Sequence, residues 1–599
     1  MVMMSVSERI TALRQLMKKY KIDAYIVPST DPHQSEYVPA LWQRRKWISG
    51  FTGSAGDVII TKEQAGLWTD SRYFLQAEEQ LRDSGIDLYK IGVTGFPTML
   101  DFLKANLVKG QTVAIDPRLQ THQQAVQWKA ELTDQGLKLN YPDDNLIDRI
   151  WKDQPGLPDS PIMIWEDKYA GESIESKLQR IREKMEAENV DVHVLSTLDA
   201  IAWTFNIRSR DVEYNPLVIS YAIITRNTAE LCVSKKKLNR KVKKALKSLV
   251  KFYDYDVFRK RLLKNLSRKS RVWLDAATVN EWIVQLLHKR CELFFKQSPV
   301  TLFKACKNET ELAGFKACHV RDGLAMVKFL CWLEEAVPKG GVTEMSAAEK
   351  LREFRSKDKL FQGLSFGTIS AYNEHGAIVH YESTAESDVE LKSPGIYLID
   401  SGGQYLDGTT DITRTIALGE PSAEQKDRFT RILKGHIDLS MCRFPRGTQG
   451  IQLDTIARKP LWDIGLNYGH GTGHGVGAFL GVHEGPQGIS YYRGIGVPLE
   501  IGMVCSNEPG FYKTGEYGMR IETLIHVVAD DQQSSTDFEF YKFETITLCP
   551  VDTRLVDKSL LNDEEIDYFN AYHQRVYDEL SRHLRGKELE WLKQATRPI

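Results

Sequence analysis

No apolar run in this 599-residue sequence approaches the roughly 18 residues that cross a bilayer. That absence excludes a helical membrane span. The first twenty residues also lack the unbroken apolar core of a signal peptide. Glu8, Arg9, Arg14, Lys18 and Lys19 instead alternate with Ile10, Leu13, Leu16 and Met17, as in an amphipathic helix. The eight cysteines are scattered and none falls in a C-x-x-C pair, so no disulfide framework is expected and a reducing, cytoplasmic compartment fits. An excess of either charge is missing too. Lys plus Arg number 79 and Asp plus Glu 80, a net charge of −1, which provides no field to hold nucleic acid or an anionic membrane.

The composition that is present, 42% hydrophobic and 27% charged, is that of a globular chain. At about 150 residues per domain the length suits three or four domains. The front half repeats itself. Ile10, Leu13 and Met17 lead into the run Ile22 to Pro28, and Leu178, Ile181 and Met185 lead into Val190 to Ser196. Each is a helical period giving way to a short β-branched run. A Pro-rich and acidic stretch, Pro142 to Pro161, reads as a linker between the copies, and a second boundary falls near Ser298-Pro299. The expected divisions are residues 1–150, 160–300, 301–550 and a helical extension, 551–599. Within them Glu309 to Glu335 reads as one long helix, and Ser559 to Leu592 is helical in pattern. The basic stretch from Lys235 to Lys251 has an apolar stripe of Val242, Leu246 and Leu249 beneath it, and reads as a solvated helix face.

Chemistry-bearing residues concentrate between His375 and Glu522. Six of the 14 histidines lie between His375 and His483. Two hairpin-like stretches each carry one carboxylate on the outgoing strand and one on the return. These are Asp400 and Asp411 in Tyr397–Thr415, and Glu508 and Glu522 in Asn507–Glu522, with glycines at the turns. Asp400 ends an apolar strand, where an isolated charge is costly unless it is paired, protonated or bound to a cation. Four such acids meeting in one place repel one another, and divalent cations remove that repulsion. Between the hairpins lie His470-Gly471-Thr472-Gly473-His474-Gly475-Val476-Gly477 and then His483. Upstream is Asn373 to Tyr381, with His380. Each element alone reads equally as a turn cap, a flexible loop or a satisfied core histidine. The ordered combination is far more specific.

That combination resembles the creatinase and methionine-aminopeptidase, or pita-bread, metallopeptidase family. Over nearly the whole chain it is most similar to that family's three-domain Xaa-Pro aminopeptidases. The resemblance implies an α/β (α+β) fold, with two related creatinase-like N-terminal domains followed by a pita-bread catalytic domain. It implies a five-ligand set for two divalent metal ions: Asp400, Asp411, His474, Glu508 and Glu522. Asp411 and Glu522 would bridge, Asp400 would complete one shell, and His474 with Glu508 the other. It further implies Glu508 as proton acceptor, His380 and His483 as substrate histidines with His474 beside them, and His470 as an auxiliary proton donor. Arg520 becomes a partner for a ligand carboxylate, and Arg72, in Trp68 to Phe74, a substrate contact; read from the residues alone, Arg72 pairs with Asp70. The mostly oxygen ligand set favours Mn²⁺ first, with Zn²⁺ as the alternative. The implied activity is hydrolysis of the bond before a penultimate proline, in a homodimer. A dipeptide-only prolidase, a metal-free creatinase-like hydrolase and a non-catalytic binding module are the competing readings.

Overall fold

The computed structural model describes residues 4–493 and 496–599. The chain forms two compact units, one of Met1–Ile164 with Glu172–Val300, the other of Trp165–Gly171 with Thr301–Ile599. The short segment Trp165–Gly171 thus joins the second unit, where Trp165 Nε1 donates to the Leu406 carbonyl and the Ala170 carbonyl accepts from Asn308.

The first unit holds the duplication. One six-stranded sheet has the order Asp87–Lys90, Ala65–Thr69, Asp57–Thr61, Ala24–Val27, Thr112–Ala114, Lys138–Asn140. The other has Lys251–Tyr253, Ala229–Val233, Ser220–Thr225, Val192–Leu195, Arg271–Leu274, Glu292–Phe295. Each central strand pairs antiparallel with the second strand of its copy and parallel with the strand on its other side. The helices predicted ahead of them, Val6–Tyr20 and Ile174–Ala187, are present and bury Ile10, Leu13 and Met17, and Leu178, Ile181 and Met185. Between the copies, His33 bonds to the Ser196 carbonyl and the Tyr255 hydroxyl. The basic stretch is mostly exposed above buried Val242 and Leu246. Lys237 is the exception: it is buried and ion-paired with buried Asp211. A buried lysine is tolerated only with such a partner.

In the second unit the helix Glu309–Ala336 opens on a capping box of Asn308 and Glu311. The strands that frame the site come in two groups. Gly395–Ser401 lies between Ile369–Tyr372 and Ile412–Leu418 in an antiparallel sheet. A six-stranded sheet runs Arg443–Pro445, Phe540–Thr545, Thr523–Ala529, Val504–Asn507, Gly473–Gly475, Glu484–Ile489, and the hairpin Gly510–Lys513 with Tyr517–Arg520 stands beside it. Helices Ala423–Ser440 and Gly450–Trp462 support these sheets through a core that includes Ile396, Phe429, Leu433, Leu461, Met519 and Ile521. Each such fully buried side chain contributes about 1.5–3 kcal/mol of transfer free energy. The terminal segment, helical in pattern, holds two helices, Asp563–Ser581 and Gly586–Ala595. Gly586 opens the second of them at φ 57°, a left-handed conformation that glycine adopts without strain.

Candidate metal centre

Strand register brings the acids together. Asp400 and Ser401 pair with Thr413 and Ile412, so the outgoing strand reaches Asp400 as the return strand leaves Asp411. Asn507 pairs with Thr523, which sets Glu508 and Glu522 at the matching ends of their two strands. The Glu522 amide donates to the Thr413 carbonyl and the Glu508 amide to the Thr472 carbonyl, tying the two strand pairs and the glycine loop into one site. One ligand atom each from Asp411, His474 and Glu522 lie within 4.8 Å of one another. His474 Nε2 stands 3.4 Å from Asp411 Oδ2 and 3.5 Å from Glu508 Oε1.

The hydrogen bonds around this cluster point to a missing positive charge. His474 Nδ1 lies 3.0 Å from the Gly475 carbonyl, which can only accept, so Nδ1 carries the proton. In the neutral ring Nε2 then presents a lone pair toward two carboxylates, an arrangement favourable only with a cation between them. Asp400 Oδ1 is buried with no hydrogen-bond partner, and buried polar atoms are nearly always satisfied. Burial raises the Asp411 carboxyl to about 6, although nearby His483 pulls it down. Burial likewise raises Asp400 against Arg520, and Glu508 against His474. Glu522 is raised well above the usual carboxylate range by burial and by Asp411, Asp400 and Glu508. Four acids that resist ionisation when alone, three of them buried and Glu508 half-buried, fit a site for hard divalent cations, which take carboxylate oxygen and imidazole nitrogen.

Arg520 links much of the site. Its Nη2 donates to Asp400 Oδ2 at 2.6 Å and its Nε to Thr413 Oγ1, which in turn donates to Glu522 Oε2 at 2.8 Å. Its Nη1 donates to the Tyr512 hydroxyl, which donates to His470 Nε2 at 2.8 Å. His470 Nδ1 faces the Gly471 carbonyl. Both ring nitrogens of His470 are engaged within the protein. His483 packs edge-on against His474, ring centroids 4.2 Å apart. His380 lies on the half-buried turn Ile378–Tyr381, in a segment whose Gly376 packs directly on Gly518 of the hairpin that carries Arg520. Arg72 belongs to the first unit and donates to Asp70 through Nε and Nη2.

Several residues that shape the site were not singled out from the sequence. Arg458, fully buried, bonds to Asp454, the Tyr468 carbonyl and the His470 carbonyl, while Thr472 donates to Asp454. This pair braces the glycine loop from the helix Gly450–Trp462. The i, i+4 spacing of Asp454 and Arg458 was a visible signal. Tyr512, four residues after Glu508, carried none.

Two family models described as Creatinase/Prolidase N-terminal domain match residues 9–148 and 153–311. Metallopeptidase family M24 matches 313–529, and the C-terminal region of peptidase M24 matches 539–599. Aminopeptidase P2 of Arabidopsis thaliana is 41% identical over 99% of this chain and 89% of its own length. The chain belongs to metallopeptidase family M24, on its Xaa-Pro aminopeptidase branch. Xaa-Pro aminopeptidase 1 of Dictyostelium discoideum is 40% identical over 99% of this M24 chain and 97% of its own length. The crystal structure of X-prolyl aminopeptidase from Caenorhabditis elegans, described as a cytosolic enzyme with a di-nuclear active site, superposes with a TM-score of 0.95 at 36% identity, covering 100% of both chains. No described helix of this M24 member is long and apolar enough to cross a membrane.

Proposed function

We propose that the protein is a two-metal Xaa-Pro aminopeptidase that hydrolyses the bond between the first residue of a peptide and a proline in second position. The observation that carries this reading is the approach of Asp411, Glu522 and Glu508 to His474, with Asp400 tied to the same site through Arg520. Asp400, Asp411, His474, Glu508 and Glu522 would hold two divalent ions. Bound there, such ions supply Lewis-acid polarisation of the scissile carbonyl and a lowered pKa for the attacking water.

The chain's own residues do the rest. Arg520 fixes Asp400 and, through Thr413, Glu522, so the carboxylates keep their spacing without rearrangement. Glu508 takes the proton from the attacking water. His483 and His380 donate to the carbonyl oxygen as charge develops on it. The glycine loop is packed closely beside His474: a Cβ on Gly473 would lie 2.0 Å from the Ser506 carbonyl oxygen, so only glycine fits there.

A cytoplasmic location and a homodimer complete the proposal, and the hard ligand set places Mn²⁺ ahead of Zn²⁺. Metal analysis of protein purified without added metal decides that order; two Zn²⁺ per chain at full activity reverses it. The activity is tested with Arg-Pro-Pro, its Arg-Ala-Pro counterpart and an Xaa-Pro dipeptide. Release of arginine from Arg-Pro-Pro alone supports the reading. Cleavage confined to the dipeptide makes the protein a prolidase.

A further inference from the structure

Thirty-six positions before His380, the first residue of the helix Glu344–Arg355 is a glutamate with a fully buried side chain. Its carboxylate gathers three donors, all from one later segment. The Tyr372 amide reaches Oε1 at 2.7 Å, His375 Nδ1 reaches Oε1 at 2.9 Å and Oε2 at 3.1 Å, and the Tyr381 hydroxyl reaches Oε2 at 2.9 Å. Its backbone is held as well: the amide donates to the Val389 carbonyl, and the carbonyl accepts from Ser370 Oγ. The Tyr381 ring stacks on His375 at 4.5 Å, and the Tyr381 amide closes the turn onto Ile378. His380 is the residue inside that turn. Tyr372 ends the strand that pairs with the Asp400 strand, Ile369 lying opposite Asp400 itself. One carboxylate therefore grips both ends of the segment that presents His380, and anchors it to the sheet bearing a candidate metal ligand.

Resting on the assignment of His380 to the substrate above, we infer that Glu344 is a positioning residue that acts through His380, setting its imidazole against the developing oxyanion. A buried carboxylate can accept from all three donors at once. A glutamine in its place turns an N–H₂ toward at least one of them, donor facing donor. The segment then shifts, and a displacement near 1 Å at a reacting group costs up to about 100-fold in rate.

The test is a double-mutant cycle on the metal-loaded enzyme, using Arg-Pro-Pro cleavage with Glu344→Gln, His380→Ala and the pair. Tyr381→Phe, which keeps the ring and removes one donor, serves as the milder second variant should Glu344→Gln fold poorly. The expected result is a fall of about ten- to a hundredfold for Glu344→Gln, carried by kcat more than KM, with metal content unchanged. Tyr381→Phe falls less. Neither change lowers activity further once His380 is alanine. Equal losses in the wild-type and His380→Ala backgrounds overturn the inference, as does full activity of Glu344→Gln or of His380→Ala. A wild-type protein that leaves Xaa-Pro peptides intact defeats the functional reading instead, a result read before any variant is made.

Discussion

Glu508 carries two duties on one side chain, facing His474 through Oε1 and receiving the Ser506 hydroxyl at 3.0 Å on that same oxygen. Glu508→Gln keeps the shape and removes the base. The expected loss in kcat is about 10²–10⁴-fold on a proline-second tripeptide, measured alongside metal content so that lost chemistry is separated from lost ions. A different residue governs stability. His193 is wholly buried, with Nε2 on Ser298 Oγ and Nδ1 near the Trp273 carbonyl, and burial lowers it to about 4. Unfolded, it titrates near its ordinary 6.5. Its contribution is therefore complete above pH 6.5 and is lost as pH falls through 4, a difference of about 3 kcal/mol. Chemical denaturation of the wild type and His193→Gln between pH 7 and 4 checks this, since the variant's stability should fall less steeply on acidification. The sequence offered His193 no distinction from any other histidine, because its pKa depends on a sheet and a loop that only folding brings around it.

Among the elements, the hairpins and the glycine loop were legible and their supports were not. Asp400, Asp411, Glu508 and Glu522 could be read because each stands at a strand end beside glycines, a local pattern. Glu344 could not, because its partners lie 28 to 37 positions downstream and nothing near it signals an acceptor. Arg458 and Asp454 sit on a helix face that reads as an ordinary ion pair until the loop they brace is known. Lys237 was misread for the same reason: its partner Asp211 is remote in sequence, and a run of lysines looks uniformly solvated. The glycine loop admits a direct test. Gly475 lies with its missing Cβ 2.1 Å from the Glu484 carbonyl oxygen, between the strand that carries His474 and the strand that follows His483. Gly475→Ala should cost about 1–3 kcal/mol by overpacking and reduce cleavage more than stability, as seen by comparing the thermal midpoint with kcat/KM.

For the whole molecule, the duplicated front half was readable because a helix-then-strand template recurs with the same spacing, and the two sheets do share one strand order. The passage of Trp165–Gly171 into the second unit was not, since Pro-rich linker composition says nothing of where a chain docks. The account as a whole rests on buried acids that need divalent cations. The most direct measurement is a titration of Mn²⁺ or Zn²⁺ into chelator-stripped protein, following arginine release from Arg-Pro-Pro and bound metal together. The account predicts no cleavage in the stripped protein and activity that saturates at two ions per chain. Full activity without metal, or saturation at one ion, would contradict it.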